Sequence, residues 1–229
     1  MKIHFVLVEP AVPENIGAAA RAIKTMGFDS LWIVNSEKYK EKEACYLAHG
    51  ARDILENVTS FSSFEEMMAN LDFTIATTAK SRSVKYDYLD GNDLPGFLLN
   101  KQNLIKHTGI VFGREEYGLS NNELRQCDIT TSIPMSTSYP SLNLGQAVML
   151  YAYILSGKNL KLSSTDETSN HKAELDALKK KVEKILPQLG LDKNTNIYGR
   201  IFERLMMITH DDIHLLHSIA NKLSEKNLK

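Results

Sequence analysis

Ile110-Val111-Phe112-Gly113-Arg114-Glu115-Glu116-Tyr117-Gly118-Leu119-Ser120-Asn121-Asn122-Glu123 decides the class of fold. An apolar strand runs into a glycine and a short charged turn follows. Ser120 with Glu123 then makes a capping box for a helix reaching about Gln126. Strand, tight turn and helix in that order make one unit of a parallel α/β sheet. Such a turn lies where open α/β sheets bind ligands, outside the carboxyl ends of their strands. The glycine spacing is neither GxGxxG nor a P-loop.

The next unit downstream repeats the pattern. Ile129 to Ile133 reads as a strand, and Leu142 to Leu155 as a long helix. Pro134 and Pro140 restrain the loop between them, and Ser141 and Asn143 are natural helix caps. Leu144, Ala147, Val148, Tyr151 and Leu155 form a buried stripe, read as core rather than ligand contacts. Upstream, Ile3 to Val8, Ser30 to Val34 and Phe73 to Thr77 read as strands. Glu14 to Met26, ended by Gly27, reads as a helix, as do Glu41 to Ala48 and Phe64 to Ala69. The alternation predicts an α/β layered domain with a largely parallel sheet.

After Gly157 the composition shifts. Residues 158–172 are rich in Ser, Thr, Asn and charge without apolar periodicity, and read as a linker. Beyond them three helical patterns follow: Leu175, Leu178, Val182 and Ile185; Ile197, Ile201, Leu205 and Ile208; then Ile213, Leu216, Ile219 and Leu223. The expected organisation is an α/β domain over 1–157, a linker over 158–172 and a helical extension over 173–229. Three amphipathic helices make a small core, so they are expected to pack on the first domain or on a second copy.

With 229 residues, 43% hydrophobic and 24% charged, the composition is that of a globular protein. No apolar run approaches the ~18 residues of a membrane helix. The first nine residues read as a strand rather than a signal peptide. Cys45 and Cys127 are far apart and in no metal-like spacing, which predicts free thiols in a cytoplasmic setting. His210, His214 and His217 are helix-spaced without a carboxylate partner, so no metal is expected. Net charge is −1, but it is unevenly spread: 14 Lys and Arg against 18 Asp and Glu in residues 1–157, and 13 against 10 in residues 158–229. A polyanion would have to meet local patches.

Pro13 suits the first turn of a helix whose Gly17, Ala18, Ala19 and Ala20 leave it slim enough for close backbone approach. Asn15 and Arg21 are its polar exceptions: a helix cap and a solvated cation on a plain reading, a phosphate or ribose site on the sharper one. Glu115, directly after the turn glycine, stands out in the same way. Thr77-Thr78-Ala79-Lys80-Ser81-Arg82-Ser83-Val84-Lys85 follows a strand and mixes hydroxyls with cations, a solvated loop by default and a phosphate contact if functional.

Taken in order, these segments resemble the SPOUT superfamily of RNA methyltransferases, and within it the ribose 2'-O-methyltransferases of the TrmH/TrmJ/LasT branch. The matching pieces are Leu7-Val8-Glu9-Pro10 with Pro13 to Ala22, Val111 to Glu115 with Gly118 to Leu124, and Ile133-Pro134 with Tyr139 to Leu144. The resemblance implies a SPOUT-type α/β fold with a deep trefoil knot near the C-terminal motifs, a homodimer whose site lies at the interface, and bound S-adenosyl-L-methionine. By position it implies cofactor contacts from Thr77, Thr78, Ala79, Gly113, Glu115, Ile133, Pro140, Ser141 and Leu142. It implies catalytic roles for Arg21, Asn15, Ser141 and Asn143, with Asn15 orienting Arg21 or the ribose. Arg21, Lys80, Arg82, Lys85 and Arg114 are the expected RNA contacts. The implied substrate is tRNA, at an anticodon-loop cytidine or uridine. rRNA is the alternative substrate, and an RNA- or cofactor-binding module with little catalysis is the alternative role.

Overall fold

The computed structural model describes residues 1–80, 82, 84–85, 87–102, 104–136, 142–156, 168–208 and 210–226. The strands are β1 (Lys2–Val8), β2 (Leu31–Val34), β3 (Thr59–Phe61), β4 (Phe73–Thr77), β5 (Tyr88–Asp90), β6 (His107–Phe112) and β7 (Ile129–Ser132). The helices are α1 (Pro13–Thr25), α2 (Lys42–Leu47), α3 (Arg52–Glu56), α4 (Phe64–Ala69), α5 (Leu94–Lys101), α6 (Asn121–Gln126), α7 (Leu144–Ile154), α8 (Thr168–Gln188), α9 (Asn196–Met207) and α10 (His210–Lys226). The strands form one sheet in the order β3-β2-β1-β6-β4-β7-β5. Each pairing is parallel.

Side-chain alternation divides the core between the two faces of this sheet. Phe5, Leu7, Ile33, Ile75, Ile110 and Phe112 face α1, α5 and α7 in the larger core. Val6, Val8, Trp32, Val34, Ala76 and Val111 face α4 and α6 in the smaller one. Burial on both faces is why these strands read as near-continuous apolar runs. The slim stretch of α1 does what its composition predicts. A Cβ added to Gly145 of α7 would lie 2.8 Å from the Ala18 Cβ, so the two helices approach as closely as small residues allow.

The C-terminal helices pack on the first domain. Leu175, Leu178, Ile185, Leu205, Met206 and Ile213 join the larger core cluster. Lys179 Nζ pairs with Asp128 at 3.2 Å. Lys101, buried, donates to the Ile208 carbonyl at 2.9 Å and lies over the Phe73 and Phe97 rings. Burial pulls its ammonium down to about 8. Helix α8 begins at Thr168, so 168–172, read as linker, are helical. The rest of that linker, 158–167, lies outside the described residues.

Candidate active site

The carboxyl ends of β4, β6 and β7 open into one cavity of about 340 Å³. Thr77, Thr78 and Ala79 line it from the end of β4, Gly113 and Glu115 from the turn after β6, Ile133 from the end of β7, and Leu142 from the approach to α7. Pro140 and Ser141 lie outside the described residues. The loops are tied to neighbouring strands: Thr77 Oγ1 donates to the Val111 carbonyl at 3.0 Å, and the Thr78 N–H to the Thr131 carbonyl at 3.1 Å. Phe112, Leu119, Leu144, Ala147 and Tyr151 are among the other residues that line it. The α7 stripe expected to be purely core is therefore shared, since Leu144, Ala147 and Tyr151 are part of the wall. The Tyr151 hydroxyl is buried beside Thr131 and has no hydrogen-bond partner of ordinary geometry among the described residues. Gly113 is required by the chain itself: a Cβ there would run into the Gly118 carbonyl carbon and the Leu119 nitrogen. Arg114 and Gly118 close this turn through paired backbone hydrogen bonds of 3.2 and 2.9 Å.

Three separate motifs meet beside the cavity. Helix α1 begins after Val12, which offers no side-chain acceptor to the free N–H groups there. Glu115, about a hundred residues away, supplies it. Its carboxylate accepts from Ala11 N at 3.0 Å, Val12 N at 3.1 Å and Asn15 Nδ2 at 3.0 Å. Burial opposes the charge, but these donors outweigh it and hold the Glu115 carboxyl below its ordinary value. Asn15 Oδ1 in turn accepts from Asn143 Nδ2 at 2.6 Å, and Asn143 Oδ1 accepts from Gly145 N at 2.9 Å, capping α7. Asn15 is neither a helix cap nor a partner of Arg21. It is a buried bridge between Glu115 and Asn143. Arg21 is exposed on α1 and does not line the cavity of its own chain.

The expected RNA-binding cations separate into different groups. Arg114 is committed internally, its Nε to Glu9 at 2.7 Å and its two terminal nitrogens to Glu123 at 3.0 Å each. The bonds to Glu123 and Glu9 raise its pKa further, and the fork fixes the turn against β1 and α6. Glu9 meets it from a left-handed backbone with φ of +47°. Lys85 is buried and donates to the Cys127 carbonyl at 2.9 Å, so its cation serves the interior and not a polyanion. Arg82 donates to the carbonyls of Leu119 and Tyr117, both at 2.7 Å, and clamps the cavity rim. Lys80 is exposed at the cavity edge.

Comparison with known proteins agrees with this arrangement. The SpoU rRNA methylase family matches residues 2–153, and the C-terminal domain of the tRNA/rRNA methyltransferase LasT matches 172–227. The chain is a SpoU-family methylase. Among relatives, the uncharacterized tRNA/rRNA methyltransferase LasT of Escherichia coli K12 is 40% identical over 228 residues, covering 100% of this chain and 99% of its own. The tRNA (cytidine/uridine-2'-O-)-methyltransferase TrmJ of Citrobacter koseri is 35% identical over 74% of this chain and 69% of its own. Among solved structures, a probable methylase family protein from Haemophilus influenzae Rd KW20 aligns with TM-score 0.67 and 29% identity, covering 98% of this chain and 96% of its own. TrmJ from Z. mobilis ZM4 aligns with TM-score 0.65 and 26% identity over 98% and 100%. The SpoU methyltransferase AviRb from Streptomyces viridochromogenes, solved with the cofactor AdoMet, shares the fold at TM-score 0.55 and 22% identity over 67% and 59%. The SpoU match spans the sheet and its cavity, and the LasT match spans the helices packed beneath it. Sequence reasoning missed the cavity roles of Leu119 and Tyr151. Tyr151 carried a signal, a phenol on an otherwise apolar helix face.

Proposed function

We propose that this SpoU-family methylase transfers a methyl group from S-adenosyl-L-methionine to a ribose 2'-hydroxyl of RNA, with tRNA as the substrate, at an anticodon-loop cytidine or uridine. The supporting observation is the meeting of three motifs, through Glu115, Asn15 and Asn143, beside one cavity at the strand ends. The lining suits the cofactor: an apolar wall for an adenine, the carboxylates of Glu115 and Glu116 for a cation, and the buried Tyr151 hydroxyl for a polar ligand atom. When bound, S-adenosylmethionine supplies a methyl group already activated on its sulfonium.

Thr77, Thr78, Ala79, Gly113, Ile133 and Leu142 would hold the cofactor by main-chain and apolar contact, with Pro140 and Ser141 completing that loop. Arg21, exposed on α1, is assigned to the ribose and its phosphate, contributed across a homodimer interface. An arginine holds its proton too firmly to be a good general base, so its role is to stabilise the developing alkoxide. Lys80 is assigned to the RNA backbone. The trefoil knot and a cytoplasmic location belong to the same reading.

The test is transfer of labelled methyl groups to total tRNA and to rRNA from a strain lacking the gene, followed by mapping of ribose-methylated nucleotides. Label at a tRNA ribose is expected. Label in rRNA alone would replace the substrate, and cofactor binding without transfer would leave a binding module.

A further inference from the structure

We propose that α9 of the C-terminal extension positions the cofactor loop, with Glu203 and Arg204 as the positioning residues. The inference rests on the reading of the cavity as the S-adenosylmethionine site. The loop after β4 first lines that cavity, through Thr77, Thr78 and Ala79, and then leaves it for α9. At its near end, Arg82 clamps the rim through the Tyr117 and Leu119 carbonyls, and its main chain is held by the Tyr88 hydroxyl at 2.6 and 2.9 Å. The Lys85 N–H donates to the Arg82 carbonyl at 3.2 Å, joining the two positions by a turn. At its far end the loop meets α9. Glu203 Oε1 pairs with Lys85 Nζ at 3.6 Å, and Glu203 Oε2 accepts from the Asp87 N–H at 3.3 Å. Arg204 then donates to Asp87 Oδ1 at 2.7 Å.

Burial makes these contacts consequential. The side chains of Lys85 and Glu203 are 5% and 10% exposed. A charge placed there without its partner is strongly unfavourable, so the pair is held together or both ends move. Lys85 also donates to the Cys127 carbonyl, just after α6. Glu203 therefore works through Lys85 on both the cofactor loop and the segment leading into β7. Residues more than a hundred positions apart, in the parts matched by two different family models, share one ionic joint. The extension would thus set the fraction of molecules whose loop is ready for the cofactor. A lower ready fraction weakens apparent affinity in proportion.

Three variants of the full chain test this: Glu203→Ala, Glu203→Gln and Arg204→Ala. S-adenosylmethionine affinity is measured by titration, and methyl transfer by steady-state rates with tRNA, the substrate proposed above. Glu203→Ala is expected to raise the cofactor Kd roughly tenfold, with kcat at saturating cofactor within about twofold and the RNA KM unmoved. Glu203→Gln keeps an acceptor for the Asp87 N–H and is expected to recover part of that loss. Arg204→Ala, at an exposed position, is expected to raise the Kd about threefold and supplies the test if Glu203→Ala does not fold. An unchanged cofactor Kd in Glu203→Ala overturns the proposal, as does a rise confined to the RNA KM. If Glu203→Ala does not fold, an unchanged Kd in Arg204→Ala does the same. A wild-type chain that binds no S-adenosylmethionine overturns the reading of the cavity and this inference together, whereas wild-type binding with unaltered variants overturns the inference alone.

Discussion

Glu115 and Arg114 at one end of the parallel sheet and His4 at the other are treated in opposite ways. At the carboxyl ends, Glu115 is held ionised by three N–H donors and Arg114 by two carboxylates. At the amino ends, His4 lies buried between Ser30 Oγ at 2.7 Å, His107 at 3.0 Å and the Trp32 ring at 4.2 Å. Burial, helped by the neighbouring His107 and Lys2 against the weaker pull of Asp29 and Asp72, brings its pKa down to about 4. The difference comes from what surrounds each end. Helices α1, α6 and α7 all begin at the carboxyl ends and offer free N–H groups to anions. Among the described residues, the amino ends offer His4 no carboxylate in hydrogen-bond contact. The turn after β6 keeps Glu115 and Arg114 charged beside the cavity, whereas the packing around His4 keeps that ring neutral, even though Asp128 at the same end of the sheet pairs with Lys179.

The largest expected effect tests the chemical end. Arg21→Ala should lower methyl transfer by about 10²–10³ while S-adenosylmethionine binding persists, because one donor to the developing charge is lost. Near-normal turnover would remove Arg21 from the reaction. The histidine end comes next. The His4 pKa is lower in the folded chain than its ordinary 6.5, so its contribution to stability is complete above pH 6.5. It fades as pH falls toward about 4 and is constant below that. The loss amounts to about 3 kcal/mol across that window. Urea midpoints measured against pH should show it in the wild type and not in His4→Asn; parallel curves would mean that His4 is not the titrating group.

Glu115→Gln should remove one acceptor from the α1 start and destabilise the chain by about 1 kcal/mol, with weaker cofactor binding. Retained stability and affinity would blur the contrast between the ends. Ser120→Ala removes the oxygen that caps α6 and should lower stability by about 1 kcal/mol or less, read as a small fall in Tm with unchanged cofactor affinity.

Sequence patterning reached the units with strong local signals. The β4 strand, the α4 helix and the Ser120–Glu123 capping box stand where the apolar runs and caps place them. It did not reach β3 or β5, three residues each, or α3 and α5. Segments that short carry no period, and their pairing with β2 and β7 is a tertiary choice. At the site, Thr77, Gly113, Ile133 and Leu142 are implied by the family resemblance, and each lines the cavity where a strand gives way to a loop or a loop to a helix. The pairing of Glu115 with Asn15, and the burial of Lys85 against Cys127 and Glu203, were not readable. Nothing near Lys85 in the chain distinguishes a cation bound for the interior from one bound for solvent.

The bridge from Gly145 to Glu115 also has a direction. The Gly145 N–H can only donate and the Glu115 carboxylate can only accept, so both amides between them are locked in one of two possible orientations. Every dipole in the row points the same way, and no member can be turned over without breaking two bonds. Substitutions at positions 15 and 143 that reverse the donor-to-acceptor order should therefore fail singly, whereas Glu115→Gln keeps an acceptor and should be mild, so a full mutational matrix at these three positions should show strong epistasis.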